Sequence, residues 1–108
     1  MTAARLTADD IYDRIERLER AFAEGDDLIE VVRDGRLRLV STVDLRLTQL
    51  VQVIIHVRDP HYSEAMNLVD DVKRARISRG VDLSELFGKL RGVILAWDAG
   101  RLARKRAA

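Results

Sequence analysis

Glycine and proline divide this 108-residue chain into short segments, and this division limits its fold more than any other feature. Gly25, Gly35 and Gly80 stand where segments of different apolar periodicity meet, and so does the Asp59-Pro60 pair. Glycine readily adopts the left-handed backbone angles that end helices and close hairpins, whereas proline is favoured at the start of a helix. The pattern therefore predicts several short elements packed together.

The segment before Gly25 has the pattern of an amphipathic helix. Thr7 followed by Asp10 is typical of a capping box, in which the two residues satisfy each other's backbone N–H groups. Gly25 then occupies the position where a left-handed residue ends a helix. The apolar residues recur at spacings of four, three and four: Ile11, Ile15, Leu18 and Phe22.

Residues 28–40 form the clearest hairpin pattern, with Asp34-Gly35 at its centre. A two-residue turn would pair Val31 with Arg38 and mix apolar with polar side chains on each face. A three-residue loop, with its glycine in a bulge, would pair Val31 with Leu37 and sort the two kinds of side chain. We predict the second register, because a sheet with one buried face requires such sorting.

Residues 41–58 fit two periodicities, since their apolar residues match a helical face and also alternate as in a strand. We predict a helix, because a run of this length without glycine or proline exceeds the usual strand. Two further helices follow, one starting at Asp59-Pro60 and ending at Gly80, the other capped by Asp82 and running through Trp97. The expected fold is mainly α (α+β): an N-terminal helix, a β-hairpin, then three helices in a small bundle. We expect one domain over 1–108, with 1–6 and 101–108 frayed.

The composition excludes several classes of protein. With 47% hydrophobic residues the chain is too apolar for disorder, and without cysteine it has neither disulfides nor thiolate zinc ligands. The start lacks a signal-peptide pattern, and the apolar runs are far shorter than the ~20 residues that span a bilayer. We therefore expect a cytoplasmic protein without a membrane partner.

The inventory of chemical groups gives no catalytic constellation. The serines lie beside helix caps or turns, and the glycines form no phosphate-binding loop. Two histidines and two carboxylates occur between His56 and Glu64, but Pro60 separates the histidines and helix capping is the simpler role. We predict no enzyme activity, no small-molecule substrate, no cofactor and no metal.

The last helix contains an unusual stripe of small residues. Each interior glycine costs a helix about 1 kcal/mol relative to alanine, so the stripe favours close packing against another helix, of the same chain or of a second copy. The stripe recurs every four residues: Gly88, Gly92, Ala96 and Gly100.

Charge is distributed unevenly along this arginine-rich chain. Nineteen basic residues nearly balance eighteen acidic ones, but residues 1–30 carry −5 and the remainder +6. Residues 75–86 also loosely resemble the helix, glycine turn, helix rhythm of a helix-turn-helix motif. The candidate contacts to nucleic acid or a protein partner are basic: Lys73, Arg74, Arg76, Arg79, Arg101, Arg104, Lys105 and Arg106.

Two functional hypotheses follow. The first is a small non-enzymatic protein–protein interaction or assembly protein of bacterial or phage type, such as an inhibitor, assembly factor or accessory subunit. It would form a homodimer or higher oligomer and bind another protein. The alternative is a DNA- or RNA-binding regulator that uses the basic C-terminal half.

Overall fold

The computed structural model describes residues 6–78 and 80–107, and within them the predicted order of elements is confirmed. Four helices surround one core, and a two-stranded antiparallel hairpin lies between the first two helices. The elements are α1 (Ala8–Ala23), β1 (Leu28–Arg33), β2 (Arg36–Ser41), α2 (Thr42–Ile54), α3 (His61–Ala75) and α4 (Leu83–Ala107).

The helices begin where the sequence places their caps. The backbone N–H of Thr7 donates to Asp10 Oδ2 at 2.9 Å, and the Thr7 hydroxyl accepts from the Asp10 N–H, which completes a capping box. Asp82 accepts from the N–H of Glu85 in the first turn of α4. α3 is the exception: its N-cap is Pro60 and not the predicted Asp59, so the helix begins one residue later than predicted, although Asp59 Oδ1 accepts from the N–H of Ser63 at 3.1 Å. Each cap satisfies an N–H that the helix itself leaves unpaired.

Residues 42–54 are helical, so the helical interpretation of this ambiguous segment is confirmed. The structure differs from the prediction at both ends of the chain. α4 continues to Ala107, because no glycine or proline after Gly100 ends it. Leu6, which we expected to be frayed, packs against the core, and its carbonyl accepts from Arg101 at 3.1 Å.

The core is aliphatic and is shared by all four helices. α1 packs mainly on α2 and α3 mainly on α4, while α1–α4 and α2–α3 contacts close the bundle. Phe22 of α1 meets Phe87 of α4 edge to face, with ring centroids 6.1 Å apart. The predicted apolar stripe of α1 supplies its part of this core. The fully enclosed aliphatic residues include Ile11, Ile15, Leu18, Leu50, Ile54, Leu90 and Ile94.

The hairpin register contradicts our prediction. Val31 pairs with Arg38 and Glu30 with Leu39, around a two-residue turn at Asp34-Gly35. Both turn residues have positive φ, 55° and 73°, as the turn that matches the twist of a tight hairpin requires. We had assumed that one face of the hairpin is buried, but neither face is. Turn geometry therefore sets the register.

The hairpin projects from the helices. Its strands contact helices mainly where β2 runs directly into α2. The molecule measures 47 × 43 × 19 Å, and its radius of gyration is 15.5 Å, whereas a compact domain of this length has about 13 Å. The fold is therefore a flat bundle with an exposed two-stranded arm.

The segment between α3 and α4 departs from the helix-turn-helix rhythm. Seven residues, 76–82, separate the two helices, whereas the motif uses a turn of about three or four residues. No helix within the described residues is long and apolar enough to cross a bilayer.

Candidate functional site

One face of the hairpin is aliphatic and open to solvent; we call it the aliphatic face. Residues directly opposite each other in an antiparallel pair share a face, and so do alternate residues of one strand. The register therefore places Leu28 and Val32 of β1 beside Leu37 and Leu39 of β2. Their exposures are 66%, 72%, 69% and 65%, and Glu30 lies among them. Single exposed aliphatic residues are common on protein surfaces, but here four lie next to one another on one face.

The other face of the hairpin is basic towards its tip. Arg33 pairs with Arg36 beside the turn, and Arg38 lies opposite Val31 on the same side. Nearer the helices this face carries Ile29 and Val40, which are partly buried. The arm thus has an aliphatic side and an arginine-bearing side. The register predicted from the sequence pairs Val31 with Leu37 and therefore indicates neither of these two sides.

A polar cluster fixes the base of the hairpin to two helices. Arg76, just after α3, places Nη2 at 2.5 Å from Asp26 Oδ2 and Nη1 at 2.5 Å from Asp44 Oδ1. Asp26 lies in the turn before β1 and also accepts from the N–H of Val43 at 3.0 Å. Ser41 donates its hydroxyl to Asp26 and accepts from the N–H of Asp44. The cluster joins three parts of the chain that are distant in sequence: the turn before β1, the β2–α2 junction and the residue after α3.

Electrostatics in this cluster favour the charged forms. The hydrogen bond from the Ser41 hydroxyl lowers the pKa of Asp26, with further contributions from the Val43 N–H and Arg76. Hydrogen bonding to Asp26 and Asp44 raises the pKa of Arg76. Asp26 and Arg76 are therefore both charged in the folded protein at neutral pH.

Three of the four predicted basic residues between positions 73 and 79 have acidic partners. Lys73 lies 4.0 Å from Asp70, Arg74 pairs with Asp71, and Arg76 belongs to the cluster at the hairpin base. Arg79 lies outside the described residues. Partners on neighbouring turns or distant elements thus neutralise three members of the set.

The C-terminal members of the set lie in a different environment. Arg101 pairs with Asp98 at 2.7 Å, while Arg104 and Lys105 line a groove of about 470 Å³ together with Arg58. We call this feature the basic groove. Arg106 is exposed in the last turn of α4. The structure therefore separates the predicted basic set into a neutralised part at the end of α3 and a basic part along α4.

The small-residue stripe faces away from the core. Gly88, Gly92 and Ala96 are exposed, and a Cβ added at Gly88, Gly92 or Gly100 would meet no atom within 4 Å. No helix in the described part of the chain packs closely on it, so packing within the chain does not explain the glycines. Leu95, on the same side of α4, is 62% exposed. Packing against a second copy stays a prediction.

A second apolar surface lies between α2 and α3. This groove of about 680 Å³ has Leu47, Val51 and Ile55 on its apolar side, and Asp44 and Arg76 of the hairpin-base cluster stand at one end. Ile55 is 56% exposed. The bundle thus has exposed apolar area of its own, in addition to that of the hairpin.

The acidic residues of α1 are largely paired. Asp13 bonds Arg17 at 3.0 Å, Glu16 bonds Arg20 at 3.1 Å, and Glu19 pairs with Arg91 of α4. Basic partners therefore offset much of the negative charge of α1. Within 6–78 and 80–107, no three His, Asp or Glu side chains lie close enough together to hold a metal ion.

Comparison with known proteins assigns no role to these surfaces. A scan against protein-family models, a search of curated proteins and a search of solved structures each found no match. Function is therefore inferred from the surfaces of this chain alone.

Proposed function

We propose that this chain is a non-enzymatic protein-binding module that self-associates, with the aliphatic face of the hairpin as its main contact surface. The observation that carries the proposal is the exposure of Leu28, Val32, Leu37 and Leu39 on one face of the arm. A two-stranded hairpin is only marginally stable in water by itself. Covering its aliphatic face would stabilise the arm and remove apolar area from water.

Two further features support contact with a second copy. The open glycine stripe of α4 allows the backbone of another helix to approach closely. The free energy of that contact would offset the low helix propensity of glycine. The groove between α2 and α3 adds exposed aliphatic area near the hairpin base. A symmetric dimer would use such surfaces twice.

The test is sedimentation velocity across a range of protein concentrations. Val32 and Leu37 lie directly opposite each other, so the double variant Val32→Glu/Leu37→Lys replaces an aliphatic pair with an oppositely charged pair. The cross-strand charges keep the hairpin paired while they remove the aliphatic contact. We expect the wild type to associate and this variant to sediment as a monomer.

Ile77→Ser is the matched control. Ile77 is 88% exposed but lies in the α3–α4 connection, so its replacement removes exposed apolar area away from the hairpin. Association by this control should equal that of the wild type. A wild type that stays monomeric at all concentrations, or a hairpin variant that associates as strongly as the control, contradicts the proposal.

A second candidate function, nucleic-acid binding, is favoured by the arginine-bearing face of the arm. Two-stranded ribbons enter DNA grooves in several protein families, and Arg33, Arg36 and Arg38 project from one side of this one. The binding of labelled duplex DNA and of RNA, measured by fluorescence anisotropy, should then weaken steeply with added salt and with Arg36→Gln. The absence of any anisotropy change at low salt would reject this candidate.

A further inference from the structure

The basic groove brings cationic side chains from two distant parts of the chain together. Arg58 comes from the loop between α2 and α3, whereas Arg101, Arg104 and Lys105 come from the C-terminal half of α4. His56 also lines the groove. None of the described residues that line it is acidic. Like charges held close together repel, and a bound anion removes that repulsion.

Arg101 forms a fixed part of the floor. Its guanidinium lies 4.9 Å from the ring centroid of Trp97, and it donates to Asp98 and to the carbonyl of Leu6. Trp97 is almost completely buried. These contacts fix the floor of the groove and engage Arg101, which leaves Arg58, Arg104 and Lys105 as the cations available to a ligand.

The dipole of α4 explains only part of this arrangement. Basic residues in the last turn of a helix complement its negative end, so Arg104 and Lys105 need no ligand on that ground. Arg58 is on another element and is not covered by this explanation. No ion pair to Arg58, Arg104 or Lys105 occurs within residues 6–78 and 80–107. The dipole of α4 therefore does not explain why Arg58, from a separate loop, lies beside Arg104 and Lys105.

We propose that the basic groove binds a small polyphosphate anion through Arg58, Arg104 and Lys105. Arginine guanidinium groups match phosphate oxygens with two parallel hydrogen bonds, and lysine adds a flexible point charge. Several cations around one groove suit a ligand with several negative charges better than a single carboxylate. The groove volume of about 470 Å³ is within the size range of small-ligand sites.

The ligand chemistry is a chain of two or three phosphates, either free or attached to a nucleoside. Trp97 lies under Arg101 and is closed to a stacking base. The groove therefore recognises the phosphates and leaves a nucleoside outside. Tripolyphosphate and a nucleoside triphosphate should bind with similar affinity. Tighter binding of the nucleoside triphosphate would show that the base is contacted too.

The experiment is isothermal titration calorimetry of tripolyphosphate into the full chain at low salt, with the nucleoside triphosphate as a second arm. We expect saturable binding that Arg58→Ala weakens about tenfold or more, because a hydrogen bond to a charged group contributes about 1.5–3 kcal/mol. Arg36→Ala at the hairpin tip removes the same charge elsewhere and should change the affinity less than about twofold. Arg58→Lys should keep part of the affinity.

Three results would overturn the proposal. One is the absence of binding heat for both ligands at low salt. Another is equal weakening by Arg58→Ala and Arg36→Ala, which would indicate only general charge attraction. The third comes from competition: a single-stranded oligonucleotide that binds in an Arg58-dependent way but is not displaced by excess tripolyphosphate would assign the groove to nucleic acid instead. Circular dichroism of each variant confirms that the fold is intact.

Discussion

Arg76 Nη2 lies 2.5 Å from Asp26 Oδ2, so an ion pair joins the end of α3 to the turn that starts the hairpin. The two residues are fifty positions apart. The side chain of Arg76 is 28% exposed and that of Asp26 31%, so solvent screens this pair less than the pairs on helix surfaces. Arg76 also holds Asp44 in the first turn of α2. One arginine thus fixes how the hairpin leaves the bundle.

Arg76→Ala should lower the free energy of unfolding by about 1–3 kcal/mol, because it leaves two carboxylates without their charged partner. Urea denaturation followed by circular dichroism measures the change. Arg74→Ala is the control, because Arg74 pairs with Asp71 on an exposed helix surface and its side chain is 69% exposed. We expect the control to change stability by less than about 0.5 kcal/mol. Equal effects of the two variants would contradict the structural role of Arg76.

Acid should destabilise the protein partly through Asp26. Because the folded state lowers the pKa of Asp26, its contribution is fully present above the unfolded pKa of about 4 and is lost as pH falls through the lower folded value. Asp26→Asn removes the charge but keeps a residue that tolerates the positive φ of 58°. The variant should be less stable than the wild type at pH 7, and the difference should shrink as pH falls below about 4. Urea titrations at several pH values measure it, and a constant difference would reject the prediction.

Gly35→Ala should open the hairpin without unfolding the helices. A Cβ at this position meets no atom within 4 Å, so the penalty is that of a left-handed backbone, about 1–2 kcal/mol. Hydrogen–deuterium exchange of the β1 and β2 amides should accelerate, whereas exchange in α1 and α4 should stay the same. Gly35→Asn should have a smaller effect, because asparagine tolerates these angles. Uniform acceleration over the whole chain would show that the hairpin and the bundle unfold together.

Gly92→Ala tests whether the stripe on α4 is open in the monomer. The added Cβ meets no atom within 4 Å, so improved helix propensity should raise the free energy of unfolding by about 1 kcal/mol at low protein concentration. Gly92→Leu should weaken self-association if a second copy packs on the stripe, because the larger side chain holds the helices apart. Sedimentation velocity measures the second effect. A destabilised Gly92→Ala monomer would show that the stripe is packed within the chain.

Local patterns were sufficient to predict the order of the helices and the caps of α1 and α4, although α3 ends at Ala75 and not at the predicted Gly80. Thr7 with Asp10, and Asp82 with Glu85, make the cap contacts that their spacing indicates. The apolar spacing of α1 matches its buried side. These features depend on residues three or four positions apart, which one sequence displays directly.

The surfaces were harder to predict, because they depend on residues far apart in the chain. Arg76 looked like a phosphate contact until the fold placed Asp26 and Asp44 beside it. Arg58 was not predicted as a site residue, because no local sequence pattern links it to Arg104. The predicted hairpin register was wrong because it was chosen to bury one face of the hairpin, whereas the geometry of the two-residue turn sets the observed pairing. The Asp34-Gly35 dipeptide itself favoured the observed two-residue turn, so this signal was available in the sequence.

The hairpin contains only two strands, so each strand has one unpaired edge. Backbone N–H and C=O groups along such an edge can pair with a strand of another chain, and nothing in that pairing limits the assembly to two chains. Arg33, Arg36 and Arg38 oppose unlimited growth, because copies stacked in register would bring like charges together. An added strand with acidic side chains would instead be attracted by these arginines. The like charges at this edge therefore disfavour fibrils built from copies of the arm.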